Sequence, residues 1–192
     1  MTSSSEMLDA LRPVVSTLQR LGVKHFIGGS VASSVHGVAR TTLDVDLIAD
    51  LHESHIEELM RALSERFYVS EPMIRAAIVN SSCFNLVHLA TSFKVDVFVP
   101  KNRPYDQIAM ERIRPETIGE EGGIETWVAT PEDVILSKLE WYRLGDEISD
   151  RQWFDVLTVL RIQQEQLDLA YLHRWAENLG VSDLLERALA EA

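Results

Sequence analysis

Two short apolar runs, LDVDLIA (43–49) and FKVDVFVP (93–100), carry three aspartates between them, Asp44 and Asp46 in the first and Asp96 in the second. Strand residues i and i+2 point to the same face. Leu43, Val45 and Leu47 therefore project to one side of the first run and Asp44 and Asp46 to the other. The two carboxylates then stand roughly 7 Å apart along the strand. In the second run Val95, Val97 and Val99 face one way, and Asp96 faces the other with Lys94 and Phe98. Like charges this close raise each other's pKa unless a cation lies between them. The immediate sequence offers only Arg40, and a divalent metal is the natural alternative, because Mg²⁺ is commonly held by one or two carboxylates plus substrate phosphates. If the two strands pair side by side, Asp96 joins Asp44 and Asp46 on one face. Three carboxylates on adjacent strands are what a two-metal site requires. The competing reading is a solvated polar face on a half-exposed sheet. Asp96 weighs against it, since an isolated charge in an apolar run is costly to bury.

Around these strands the pattern is mixed. Residues 6–21 and 53–66 read as amphipathic helices, with Pro13 a blemish in the first and a third helix expected over 71–79. Val23–Ile27 reads as a strand stopped by Gly28 and Gly29, followed by a short helix from about Ser30 to His36. CFNLVHLA (83–90) and the 93–100 run are close enough for a hairpin. Residues 101–125 are mixed, with IRPETI and GIETWVA as short strands. The texture changes after Thr130. TPED is a helix start, with Thr130 as N-cap and Pro131 at the first position. Only helices follow, at about 131–143, 148–162, 167–179 and 182–191. The expected fold class is α/β (α+β): a small mixed sheet with flanking helices over 1–128, then a C-terminal helical region over 129–192, the two able to share one core.

The net charge of −12 argues against a protein that simply coats nucleic acid, whose affinity comes from Lys and Arg displacing counterions. It suits one that holds divalent cations. No apolar run reaches the length of a membrane span, no secretory signal opens the chain, and Cys83 is the single cysteine. A cytoplasmic location is expected.

Gly28-Gly29-Ser30 follows a strand and opens a helix. Glycine permits a tight turn and close approach of a ligand, and a helix N-terminus suits a phosphate. The plain alternative is an ordinary strand–helix turn with a serine cap. Arg40, in the loop before the acidic strand, is either a phosphate or base contact or a surface arginine. Lys138 shares a helix face with Val134, Ile135, Trp141 and Tyr142, so it either snorkels from the core edge or points at a ligand. Arg151 and Asp155, at i and i+4, read as an exposed helical ion pair. His52 and His55 lack a third metal ligand. Trp141, Trp153 and Trp175 fit helix core faces. Glu120-Glu121-Gly122-Gly123 reads as an exposed loop.

Gly29-Ser30, then Asp44-Val45-Asp46 in an apolar strand, then Val95-Asp96-Val97, resembles the nucleotidyltransferase superfamily of DNA polymerase beta. ARTTLDVDL and TPEDVILSKLEWYR look like its bacterial minimal and abortive-infection types. The resemblance implies a nucleotidyltransferase core that uses Mg²⁺ (or Mn²⁺). It implies that Asp44, Asp46 and Asp96 are the catalytic and metal-binding acids, and that Gly29 and Ser30 hold the nucleoside triphosphate. Arg40 and Lys138 complete the nucleotide-binding set. The implied activity is transfer of a nucleoside monophosphate, with ATP a candidate donor, to a hydroxyl of a protein, tRNA or small molecule. The implied setting is a toxin–antitoxin or phage-defence system with a possible partner protein and no membrane association. The alternative is an inactive nucleotide-binding or antitoxin-like interaction module of the same fold.

Overall fold

A computed structural model describes residues 4–119 and 122–192. The expected loop at Glu120 and Glu121 lies outside the described residues. The chain divides into two compact units, Met1–Gly28 with Thr41–Val128, and Gly29–Arg40 with Ala129–Ala192. The short helix after the first strand is thus grouped with the C-terminal helices.

The first unit is a mixed sheet with helices. Its strands are β1 (His25–Ile27), β2 (Asp44–Ala49), β3 (Phe67–Tyr68), β4 (Cys83–His88), β5 (Lys94–Phe98), β6 (Arg114–Ile118) and β7 (Ile124–Val128). Their spatial order is β3-β4-β5-β2-β1-β7-β6. β2 runs parallel to β5 and β1 parallel to β7, while the remaining neighbours are antiparallel. Burial follows the two-residue period. Val45, Leu47, Val95 and Val97 are closed off from solvent, whereas Asp44 and Asp46 are partly exposed.

Helix α1 (Ser4–Arg20) packs against β2, β5 and β7. Its buried Leu11, Val14, Val15 and Leu18 recur at helical spacing, and each such side chain contributes about 1.5–3 kcal/mol of burial. The 53–66 segment divides into a 3₁₀ turn, Glu53–His55, and α3 (Ile56–Leu63). α4 is Glu71–Asn80.

Two elements differ from the sequence expectation. β3 is a two-residue strand paired with the far end of β4, too short to show a period. α5 (Pro104–Arg112) lies in the stretch read as mixed. It buries only Tyr105, Ala109 and Met110, so it lacks a long apolar stripe. Its start is set locally: Pro104 supplies the helical φ of the first turn, and Asp106 accepts a hydrogen bond from the Arg103 backbone N–H at 3.0 Å.

The second unit is helical: α2 (Gly29–His36), α6 (Pro131–Leu144), α7 (Asp150–Gln163), α8 (Leu169–Leu179) and α9 (Ser182–Glu191). α6 packs against α2, α7 and α8, and α9 closes on α7 and α8. Three of the starts, those of α6, α7 and α8, have a capping side chain. Thr130, Ser149 and Asp168 accept hydrogen bonds from the backbone N–H groups of Asp133, Gln152 and Tyr171. Asp133 is buried and held from both sides, by the Thr130 hydroxyl at 2.7 Å and the Tyr171 hydroxyl at 2.6 Å. Trp153 and Trp175 lie in the core as expected, but Trp141 is 51% exposed. It falls one residue short of Tyr142, which takes the buried position on α6.

Candidate active site

The acid row is built by strand register. In the parallel β2–β5 pair, Asp44 stands opposite Lys94, Asp46 opposite Asp96, and Ile48 opposite Phe98. Paired residues share a face, and adjacent strands are about 4.8 Å apart. Asp44, Asp46 and Asp96 therefore occupy one face of two neighbouring strands. β4 extends the row, since Asn85 lies opposite Asp96. Asp96 is buried, and both of its oxygens are engaged. The Asn85 side-chain amide donates to Oδ1, and the Lys94 ammonium lies 2.7 Å from Oδ2. The same ammonium is 3.7 Å from Asp44 Oδ2. The Thr42 hydroxyl sits 3.1 Å from Asp44 Oδ1.

Lys94 is thus a neutralising cation of the row. The hydrogen bond to Asp96 raises the Lys94 pKa, and the charges of Asp96, Asp44 and Asp46 reinforce this against partial desolvation. Cys83 is one register step away on the same face, opposite Phe98. Burial, then the charges of Asp96 and Asp46, push its thiol up to about 11, with Lys94 opposing.

The donor set is three carboxylates, hard oxygen ligands of the kind that Mg²⁺ and Mn²⁺ prefer. Among the described residues no group of three or more His, Cys, Asp or Glu is arranged to hold a metal ion. At this row the Lys94 ammonium stands between Asp44 and Asp96. The residues fit a hard divalent ion in chemistry and in register, with Lys94 as the stand-in cation.

The remaining candidates meet in the helical unit. Gly29 has φ of +53°, a left-handed conformation that a side chain would strain. Ahead of it, the Gly28 N–H donates to the Asp46 carbonyl at 2.9 Å, so the chain leaves β1 level with the acid row. Ser30 accepts a hydrogen bond from Arg40 Nη2 at 2.7 Å. Arg40 also grips Asp155 at two points, Nε to Oδ1 at 3.0 Å and Nη2 to Oδ2 at 2.8 Å. Lys138 Nζ reaches the same Oδ2 at 2.8 Å. Lys138 and Asp155 are both buried. Burial pushes the Asp155 carboxyl up, but the hydrogen bonds from Arg40 and Lys138, with their charges, hold it below the ordinary carboxylate range. The expected exposed Arg151–Asp155 pair is therefore wrong. Asp155 faces inward on α7, where two cations from other segments of the same unit compensate its charge.

Three residues of this arrangement escaped the sequence reading. Asn85 alternates with Phe84 and Leu86 in the hairpin, so counting its register would have set it opposite Asp96. Lys94 was placed on the right face but not recognised as the counter-ion. Asp155 carried no signal, because its partners come from 115 and 17 residues away.

No protein-family model and no curated protein sequence matches the chain. Its fold is that of nucleotidyltransferases. It is similar to the solution structure of the antibiotic-resistance factor ANT(2'')-Ia, with a TM-score of 0.58 and 14% identity over 98% of this chain and 97% of that one. It is also similar to an antigenic nucleotidyltransferase-like protein from Paracoccidioides brasiliensis, with a TM-score of 0.52 and 18% identity over 95% and 93% of the two chains. A crystal structure of ANT(2")-Ia in complex with adenylyl-2"-tobramycin gives a TM-score of 0.53 and 11% identity over 81% and 88%.

Proposed function

We propose that this protein is a metal-dependent nucleotidyltransferase that moves a nucleoside monophosphate from a nucleoside triphosphate to a hydroxyl acceptor. The observation that carries the proposal is the in-register row of Asp44, Asp46 and Asp96 within a nucleotidyltransferase fold. In the reaction the acceptor oxygen bonds to the α-phosphorus, the α–β phosphoanhydride breaks, and pyrophosphate leaves. Asp44 and Asp46 would hold both divalent ions, and Asp96 one of them. Bound Mg²⁺ or Mn²⁺ would lower the pKa of the attacking hydroxyl and neutralise charge on the leaving group. Asp96 receives the hydroxyl proton, its carboxylate kept in orientation by Asn85.

Gly29, Ser30, Arg40 and Lys138 are assigned to the nucleotide. Arg40 and Lys138 converge on the carboxylate of Asp155, and Arg40 also bonds Ser30, which gathers three of the four on one cluster. The adenylylated tobramycin bound by one structural neighbour favours ATP as donor. The acceptor is a hydroxyl of a small molecule, a protein or a tRNA. The toxin–antitoxin or phage-defence setting rests on the resemblance of ARTTLDVDL and TPEDVILSKLEWYR. No helix among the described residues is long and apolar enough to cross a membrane.

The test is calorimetric binding of ATP, GTP, CTP and UTP, with and without Mg²⁺ or Mn²⁺, to wild type and to Asp44→Asn/Asp46→Asn. Metal-dependent binding of one nucleotide, lost in the double variant, is expected. A wild type that binds none of the four with either metal would refute the assignment.

A further inference from the structure

Lys94 has a position no ordinary surface lysine has. Its ammonium lies 2.7 Å from Asp96 Oδ2 and 3.7 Å from Asp44 Oδ2, bridging carboxylates of two strands. It is fixed there by register: Lys94 is the β5 residue opposite Asp44, and it precedes Asp96 by two on the same face. A divalent ion shared by Asp44 and Asp96 needs the same place. Resting on the metal-dependent reading above, we propose that Lys94 is a built-in counter-cation of the acid row, which a divalent ion must displace before the row can bind metal.

The local charges make the exchange feasible. Lys94 places one positive charge against the two carboxylates that it bridges, Asp44 and Asp96, so this pair stays anionic and still attracts a divalent ion. An ion of charge two replaces an ammonium of charge one and gains attraction to every carboxylate in the row. A monovalent ion has no such advantage, so the lysine also makes the row selective for divalent ions. Lys94 is 41% exposed at its side chain, and its flexible stem lets the ammonium swing into water at little cost. Asp96 stays in place when the lysine leaves, because Asn85 holds its other oxygen. Lys94 therefore keeps the row compact without metal and raises the metal concentration at which it fills.

The experiment is Mn²⁺ binding in the absence of nucleotide, read from the paramagnetic resonance of free Mn²⁺, for wild type, Lys94→Met, Lys94→Gln and Lys94→Arg. Lys94→Met and Lys94→Gln are expected to bind Mn²⁺ about tenfold more tightly than wild type, and Lys94→Arg about as wild type. Without metal the two neutral variants should melt below wild type, and Mn²⁺ should restore them. Equal or weaker Mn²⁺ affinity in the folded neutral variants overturns the counter-cation role and leaves the metal-site reading standing. Absence of Mn²⁺ binding in wild type and in every variant overturns both. Lys94→Gln keeps a polar end, so the comparison survives if Lys94→Met does not fold.

Discussion

Asp46 stands directly opposite Asp96 in the parallel pairing of β2 with β5, so one carboxylate on each strand projects from the same face of the sheet. Asp46→Asn keeps the shape of the side chain and removes its charge. Nucleotide transfer should fall by roughly a hundred- to ten-thousandfold, the loss expected when several kcal/mol of charge stabilisation disappear. The thermal midpoint of the metal-free protein should hold or rise slightly, because one member of a like-charged row is gone. Turnover with Mg²⁺ and melting followed by circular dichroism check the two halves. Wild-type turnover in a folded variant would remove Asp46 from the site.

Asn85 touches Asp96 and lies on a different strand from every acid, so it acts by positioning. Supporting groups of this kind typically change metal affinity or activity by about 10–100-fold. Asn85→Ala should show that loss in Mn²⁺ affinity as well as in turnover, with melting little changed. Asn85→Gln, whose longer arm misplaces the amide, should not recover it. A loss confined to stability would make Asn85 a structural residue only.

The sheet and the acids were legible because the information is local. Asp44, Asp46 and Asp96 alternate with buried Val45, Leu47, Val95 and Val97, and a two-residue period places them without knowledge of the partner strand, although Leu43, expected on the core face, is 72% exposed just ahead of β2. The start of α6 was legible for the same reason, since Thr130 and Pro131 announce it locally, whereas the Ser149 and Asp168 caps of α7 and α8 emerge in the structure. What stayed hidden depends on distant pairing. Arg40 looked like the neighbour of the acids in sequence, yet it turns to Asp155 on α7. Lys94 is adjacent in sequence to Val95, but its counter-ion role arises only once β5 lies beside β2 and brings Asp44 opposite it. α5 was missed because its start depends on Pro104 and Asp106 while its buried face is narrow.

The Arg40–Asp155–Lys138 group should be visible in the pH dependence of stability. Asp155 has a folded pKa below its unfolded one, since the hydrogen bonds from Arg40 and Lys138 outweigh burial. Its contribution is complete above the unfolded value, about 3.9, and is lost as pH falls through the lower folded value. Asp155→Asn should therefore cost about 3 kcal/mol or more at pH 7, because it leaves two cations without their partner. The gap to wild type should narrow only below about pH 4. Lys138→Met leaves Asp155 with the two-point grip of Arg40 and should cost about 1.5–3 kcal/mol. Urea unfolding from pH 7 to pH 3 measures all three proteins, and a wild-type-to-Asp155→Asn gap that stays constant over that range would contradict the assignment.

Cys83 offers a reporter on the acid row that needs no nucleotide or metal. Its thiol is pushed up to about 11 by burial and then by the charges of Asp96 and Asp46. An unfolded cysteine titrates near 8.5, so at pH 8 the native thiol should alkylate roughly a hundredfold more slowly than the urea-unfolded chain. Its rate should climb steeply between about pH 9 and 11. Asp96→Asn removes the largest of the neighbouring charges and should shift the native profile to lower pH. Lys94→Met removes the opposing charge and should shift it to higher pH. Iodoacetamide labelling at a series of pH values, quantified by mass spectrometry, gives each profile. Identical profiles for wild type, Asp96→Asn and Lys94→Met would mean that the thiol senses burial alone and that the carboxylates do not reach it.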